Sequence, residues 1–324
     1  MVNGPDDVDL KWDAVDWRGH EDNVGRLRRR IFTAVREGDL ARARNLQKLM
    51  LRSWSNTLVS VRQATQRNAG RKTAGVDGEV ALTSAARAEM AVRVHREASS
   101  WRPRPVRRVY IPKAGNRAKL RPLGIPVITD RCYQGRVRAA LEPEWEARFE
   151  PKSYGFRPGR GCQDAISAIH VTCKGPRAKR VWALDADLAK AFDKIDHATL
   201  LDALGSFPAR NMIRDWLTAG VFKKGEGFIP TDEGTPQGGM ISPLLLNIAL
   251  HGLEHATGVR YITSGRHGPV VRPRPAPRPD HGTSVRAVRY RARVPVPGAL
   301  QLPAAAERSQ RDAGGTVLAA REPR

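Results

Sequence analysis

Carboxylates gather at one place in this sequence. Leu184-Asp-Ala-Asp-Leu-Ala-Lys-Ala-Phe-Asp-Lys-Ile-Asp-His197 brings Asp185, Asp187, Asp193 and Asp196 within twelve residues. The preceding Val181-Trp-Ala-Leu reads as a buried strand, and strand alternation puts Asp185 and Asp187 on one face, opposite to Ala186. Carboxylates at a strand end suit a hard divalent cation, because Mg²⁺ is held by one or two of them together with substrate phosphates. Helix caps and solvated charge would explain such a cluster if it stood alone. It does not stand alone. Asp232-Glu-Gly-Thr-Pro-Gln-Gly-Gly-Met-Ile-Ser-Pro-Leu-Leu-Leu-Asn247 is a glycine-hinged loop feeding an apolar helix, an element whose backbone can lie against a substrate or template. A further pattern, His251-Gly-Leu-Glu-His255, sets two imidazoles four residues apart on one helix face. So short a match recurs by chance, and the residues that follow offer no third ligand, so zinc is not expected.

The charge balance says what such a site would act on. Lys and Arg number 56 against 33 Asp and Glu, a formal net charge of +23. That excess favours a polyanionic partner, since each phosphate contact releases condensed counterions. A membrane surface would need an anchor, and no run approaches the roughly 18 apolar residues that span a bilayer. Cys132, Cys162 and Cys173 are odd in number and form no CxxC pair, which points to a reducing, cytoplasmic setting. The start, Met1-Val-Asn-Gly-Pro-Asp-Asp7, has no basic-then-apolar secretory pattern. A chain of 324 residues can hold two domains.

The elements that must position the site begin with helices. Val24, Leu27, Ile31 and Val35 recur at helical spacing up to Gly38, and Asp39 can cap a second helix carrying Leu40, Ala43, Leu46, Met50, Trp54, Leu58 and Val61 on one stripe. Arg42, Lys48, Arg52 and Arg62 fall largely outside that stripe, either as a solvated face or as RNA contacts. Asn68 to Gly78 combines three glycines with Arg71 and Lys72, as a flexible loop approaching a phosphate chain would. After a helix near Ala85 to Ser99, Val106 to Pro112 and Leu120 to Pro126 read as two strands around a basic turn, with their prolines placing them at sheet edges. Thr129 or Asp130 can cap the next helix, with Tyr133, Val137, Ala140 and Leu141 inward, before Pro143 disturbs it. A Gly- and Arg-rich loop, Ser153 to Gly161, follows. Short helices are expected at His197 to Leu204 and Met212 to Thr218, and one opening at Ser242-Pro243 and running to about His255. From Tyr261 to Arg324 there are 12 arginines, nine prolines and no lysine, a composition that cannot offset its ordering entropy and is expected to be disordered. The same bias is what an out-of-frame reading of GC-rich DNA would give.

In this order the motifs resemble the reverse transcriptase domain of group II intron-encoded proteins. The likeness runs from about Trp12 to Val259 and rests on Leu46-Gln-Lys-Leu-Met-Leu-Arg-Ser-Trp54, Arg71-Lys-Thr-Ala-Gly-Val-Asp-Gly78, Ile111-Pro-Lys113, Leu120-Arg-Pro-Leu-Gly-Ile-Pro126 and Ser153-Tyr-Gly-Phe-Arg-Pro158, besides the two segments above. It implies an α+β fold: a helical N-terminal RNA-binding extension (1–78), the fingers and partial palm of a right-hand polymerase (79–259), and the tail (260–324). It implies that Asp187, helped by the backbone carbonyl of Leu188, ligates Mg²⁺. Phe192 would sit under the sugar and exclude a 2′-hydroxyl, although by residue type alone it is more often a core aromatic. Lys113 and Arg121 would hold the incoming deoxynucleoside triphosphate, and Gln237 with Gly238 would line its pocket. The implied partners are intron RNA and an RNA template with a DNA primer; Arg42, Lys48, Arg52, Arg62, Arg71 and Lys72 are the candidate RNA contacts, and no membrane is involved.

One departure is as informative as the match. In this family a Tyr-x-Asp-Asp hairpin supplies the remaining carboxylates, but the only adjacent Asp pair here is Asp6-Asp7, and Val288-Arg-Tyr290 continues into Arg291-Ala-Arg-Val294. Two ions about 3.5 to 4 Å apart need carboxylates from both strands. The expectation is therefore an incomplete, inactive polymerase; the alternatives are a non-catalytic RNA-binding fragment assisting intron folding, or a broken gene product.

Overall fold

The computed structural model describes residues 10–113, 115–174, 188, 190–236, 238–253, 261–264 and 270–273. In chain order the elements are α1 (Trp17–Arg36), α2 (Leu40–Arg52), α3 (Trp54–Arg62), α4 (Ser84–Arg96), β1 (Val106–Lys113), β2 (Asn116–Ile125), α5 (Ile128–Arg148) and α6 (Cys162–Cys173). They continue with α7 (His197–Leu204), α8 (Arg210–Leu217), β3 (Val221–Lys223), β4 (Gly227–Ile229), α9 (Ser242–Ala249), β5 (Tyr261–Ser264) and β6 (Val270–Pro273). The mixture of helices and one four-stranded sheet is the α+β class expected. Two compact units result, residues 1–148 with 192–249, and residues 149–191 with 250–324.

In the first unit α5 is the central post. Its Tyr133, Val137, Ala140 and Leu141 are buried, α1, α2 and α3 pack on it, and their Ile31, Met50 and Leu58 are fully buried. α1 stops at Gly38, whose φ of 79° suits glycine, and Asp39 then caps α2 by accepting the Arg42 amide hydrogen bond at 2.9 Å. The single long helix expected next is two. The chain breaks at Ser53, with φ −70° and ψ 126°, and its hydroxyl accepts from the Asn56 amide to start α3. Asn56 then fills the break from its side, donating to the carbonyls of Met50 and Arg136 at 2.9 and 3.1 Å.

Three further expectations are corrected. Pro143 does not end α5, which runs on to Arg148. Acids on either side of the proline are gripped from neighbouring helices, Glu142 by Arg28 and Glu144 by Arg44 and Gln47, and within α5 by Arg138 and Arg148. That grip outweighs the missing backbone donor. Thr129 and Asp130 do not cap α5 but lie inside its first turn, where Asp130 accepts from the indoles of Trp101 and Trp216 at 2.8 and 3.1 Å and from the Arg104 amide. Burial pushes the Asp130 carboxyl above its ordinary range, with those three donors opposing the rise. Finally, α9 ends at Ala249, short of His255, ahead of a turn at Gly252 with φ 97°.

The sheet has the order β2-β1-β3-β4. β1 and β2 pair antiparallel, β1 and β3 parallel over Val106–Arg108 only, and β3 and β4 form an antiparallel hairpin. Pro122 lies in the edge strand β2, and Pro112 in the far half of β1, where β2 is its partner among the described residues. The expectation of edge strands thus holds for β2 but is corrected for β1, which is interior; Pro112 is tolerated there because it lies beyond the Val106–Arg108 ladder with β3.

In the second unit, the Ser153–Gly161 loop is stapled by its own arginines. Arg157 donates to the carbonyls of Glu150 and Ser153 at 2.8 and 3.0 Å, and Arg160 to those of Pro151 and Ser153 at 2.6 and 3.0 Å. α6 follows, opened by Asp164 accepting the Gly161 amide at 2.7 Å. β5 and β6 pair antiparallel at the start of the segment expected to be disordered, which corrects that expectation for Tyr261–Ser264 and Val270–Pro273. The expected strand at Val181 to Asp187, residues 274–324 of the tail, and Glu254 and His255 of the zinc-like pattern lie outside the described residues.

Candidate functional site

The Gly234–Gly239 loop is built into the first unit by backbone contacts on both sides. On one side it is stitched to residues 192–197. The Gly234 amide donates to the Ile195 carbonyl and the Thr235 amide to the Phe192 carbonyl, both at 2.8 Å, and Asp196 bridges to Glu233. His197 Nε2 donates to the Gly234 carbonyl at 2.7 Å, while Asp196 caps α7 by accepting from the Thr199 amide at 2.7 Å. A Cβ on Gly234, whose φ is 83°, would fall 2.8 Å from the Asp193 carbonyl. The glycine is therefore fixed twice, by conformation and by close approach.

On the other side the loop meets β2 and α5. A Cβ on Gly238 would lie 2.3 Å from the Gly124 carbonyl oxygen and 3.1 Å from Leu123. Gln134 of α5 accepts the Met240 amide at 2.8 Å, and Ser242 donates to the Pro236 carbonyl at 2.8 Å while accepting from Thr235. The loop thus ties the Phe192 segment to β2, the strand that carries Arg121 three residues before Gly124.

Of the residues singled out from the sequence, this arrangement brings together Phe192, which is half-buried, Gly238, which is exposed, and the β2 strand bearing exposed Arg121. Lys113 ends β1. Asp187 and Gln237 lie outside the described residues, and Leu188 is half-buried. Among the described residues no group of three or more His, Cys, Asp or Glu side chains converges.

The arginines divide into two populations. Some are internal staples. Arg131 donates to the carbonyls of Pro126, Gly70 and Thr73 at 2.9, 2.9 and 2.7 Å. Arg136 reaches the last-turn carbonyls of α4 and α2, at Val94 and Leu51, and burial lowers its guanidinium to about 10. Arg131 corrects the reading of residues 68–78 as a flexible loop. The segment is pinned by that guanidinium, contains the 3-10 turn Ala69–Lys72 capped by Asn68, and packs so closely that a Cβ on Gly75 would fall 2.6 Å from the Val127 Cα.

The other population faces water. Arg42, Lys48, Arg52 and Lys72 are exposed and Arg71 is half-buried. Arg42 has a loose acidic partner in Glu37 at 3.6 Å. Arg62 is turned inward, paired with Glu21 at 3.1 Å and stacked over Trp17 at 4.3 Å. Arg26, Arg29, Arg30 and Arg36 of α1 are exposed and have no ion pair among the described residues, yet the helical pattern of α1 directed attention only to its apolar stripe. Their spacing on one side of an amphipathic helix was the available signal.

Residues 12–94 match the model of the N-terminal domain of reverse transcriptase, and residues 111–264 that of reverse transcriptase, the RNA-dependent DNA polymerase. Protein YkfC of Escherichia coli is 35% identical over 251 residues, covering 74% of this chain and 64% of that protein. The group II intron-encoded protein LtrA of Lactococcus lactis is 42% identical over 159 residues, 48% of this chain and 26% of its own length. Maturase-like protein 1 of Euglena gracilis is 30% identical over 242 residues, 73% of this chain and 50% of its own. The chain thus spans between about a quarter and two thirds of these relatives. No helix among the described residues is long and apolar enough to cross a membrane. The two family models match consecutive stretches of the sequence, and the chain belongs to the reverse transcriptase and maturase family encoded by group II introns.

Proposed function

We propose that this chain is an incomplete form of an intron-encoded RNA-directed DNA polymerase and maturase, one that grips structured RNA but does not extend a primer. The observation that carries the reading is the fit of the Gly234–Gly239 loop, which holds the Phe192 segment and the Arg121 strand about one place while leaving Gly238 exposed. In this reading Lys113 and Arg121 take the triphosphate of an incoming deoxynucleotide, Gln237 and Gly238 line its pocket, and Phe192 excludes a 2′-hydroxyl. Phosphoryl transfer asks the protein for positioning and charge neutralisation rather than a covalent nucleophile. Asp187 with the Leu188 carbonyl is the one Mg²⁺-binding pair assigned. The absence of any adjacent Asp pair other than Asp6-Asp7 supports inactivity.

RNA binding is supported by the net charge of +23 and by the solvent-facing cations Arg42, Lys48, Arg52, Arg71 and Lys72, to which Arg26, Arg29, Arg30 and Arg36 of α1 are added. The proposed division is an RNA-binding extension to residue 78, fingers and partial palm to residue 259, then a tail. The free cysteines agree with a cytoplasmic setting.

Primer extension on an RNA template with Mg²⁺ and deoxynucleotides, beside an Asp187→Ala control, tests the reading. No extension together with salt-sensitive RNA binding is expected. Extension that the control abolishes would establish a complete metal site and overturn the inactivity. Absence of both activities, with rapid proteolysis of the whole chain, would favour a broken gene product.

A further inference from the structure

The register of the four-stranded sheet assigns each paired residue to one of two faces. On the first, Val106 and Val221 are buried side by side, and Lys223 lies over the Tyr110 ring at 5.4 Å. On the second, one cross-strand row runs Ile125, Arg107, Phe222, Phe228, and Val109, Leu123, Ile111 and Arg121 extend the same face. This row is buried at its Ile125 end and opens toward solvent at the other, where Phe222 is 43% and Phe228 57% exposed. No acid occupies the second face at these paired positions.

Two details set the phenylalanines apart from scattered surface apolar residues, which are ordinary. Phe228 is held in place. A Cβ on Gly220, whose φ is 77°, would fall 2.3 Å from the Phe228 ring, so the ring rests on bare glycine backbone. Next to Phe222 in the row, Arg107 keeps its Nε shielded from solvent without a hydrogen-bond partner among the described residues. A fixed ring, a second ring beside it and a donor-rich cation with no acid at the paired positions of its face are what single strands require, namely π-surfaces for bases and positive charge for the backbone. A protein partner would favour a face depleted of charge at its centre, and a duplex hides its base faces within its own stack.

We propose that this sheet face is a stacking platform for unpaired nucleotides, with Phe222 and Phe228 receiving base faces and Arg107 an adjacent phosphate. The platform rests on the reading that the chain binds nucleic acid; its two rings lie on β3 and β4, while Arg121 and Leu123, the latter 3.1 Å from where a Cβ on Gly238 would fall, lie on the same sheet face in β2. Stacking on the two rings gives the protein a grip on single strands that is tolerant of sequence, because every base has a π-face.

The test uses the full chain and a short single-stranded RNA carrying 2-aminopurine, with a duplex of the same sequence as comparison. Fluorescence anisotropy is read for the wild type, for Phe222→Leu with Phe228→Leu, and for Arg107→Gln. Leucine keeps apolar bulk and removes the ring. Expected are a roughly tenfold or greater weakening of single-strand binding by the double variant, unchanged duplex affinity, and loss of the 2-aminopurine quenching seen with the wild type. Arg107→Gln should reduce the slope of log affinity against log salt by about 0.7, while the double variant leaves that slope unchanged. Single-strand affinity and quenching that survive the double variant overturn the platform, as does an equal loss on duplex and single strand, which would make the two rings fold residues. A wild type that binds neither RNA removes the nucleic-acid reading itself.

Discussion

The α1–α2–α5 helical layer and the Gly234–Gly239 loop are both tightly fitted, but by opposite means. Charged side chains hold the helices together. Glu144, with its side chain only 2% exposed, takes Arg44 at 3.1 Å, Arg148 at 2.7 Å and Gln47 at 2.7 Å, and Glu142 takes Arg28 and Arg138. Backbone holds the loop, through amide-to-carbonyl bonds at 2.8 Å to Phe192 and Ile195 and through glycines with no room for a Cβ. A layer built on buried charge tolerates changes of shape better than changes of charge. A loop built on backbone tolerates changes of charge and no added atom.

Three experiments would break or sharpen that contrast. The largest effect is expected from Glu144→Ala. It leaves the Arg44 and Arg148 guanidiniums without their carboxylate and should lower stability by about 3 to 5 kcal/mol, read as a shift in the urea midpoint. A loss below about 1 kcal/mol would mean the layer is held by its apolar contacts alone. Next is Gly234→Ala, which puts a Cβ against the Asp193 backbone at a positive φ and should cost about 2 to 3 kcal/mol. Unchanged stability would show that the loop moves freely off residues 192–197.

The smallest effect is a pH dependence at Glu142. Burial alone would raise its carboxyl, but Arg28 and Arg138 hold it below the ordinary range. A carboxylate with a lowered folded value contributes stability above its unfolded value and loses it as pH falls through the folded one. Wild type should therefore lose stability relative to Glu142→Gln on acidification from neutral pH to below about pH 4. Parallel pH profiles for the two would remove Glu142 from the account. Asp130, raised by burial, works in the opposite direction and sharpens the choice of site, because its contribution falls as pH rises.

Much of the architecture was legible because it follows local rules. Gly38 and Asp39 ended one helix and began the next, as their backbone freedom and side-chain acceptor dictate. The alternation around Lys113 marked the β1–β2 pair, and its prolines marked the edge strand β2 but not the interior place of β1. The break at Ser53 was invisible to periodicity because the apolar stripe continues in step across it, and only Asn56, reaching carbonyls of α2 and α5, shows what the break accommodates. In the candidate site the glycines of 234–239 announced close approach, but nothing in their spacing said what they approach.

By itself, then, the sequence determined the family, the strongly basic character, the helix and strand alphabet and the missing Asp-Asp pair, since these reside in residue identity and short-range spacing. Tertiary structure alone decided which arginines remain for a partner. Arg131 and Arg136 are consumed as staples on carbonyls far away in sequence, while Arg26, Arg29 and Arg30 stay in solvent, and identical side chains become equivalent or distinct only through what surrounds them. It also decided that α5 passes through Pro143. Ion pairs to helices about a hundred residues earlier outweigh a local breaker, and contacts so distant in sequence exist only once the chain has folded.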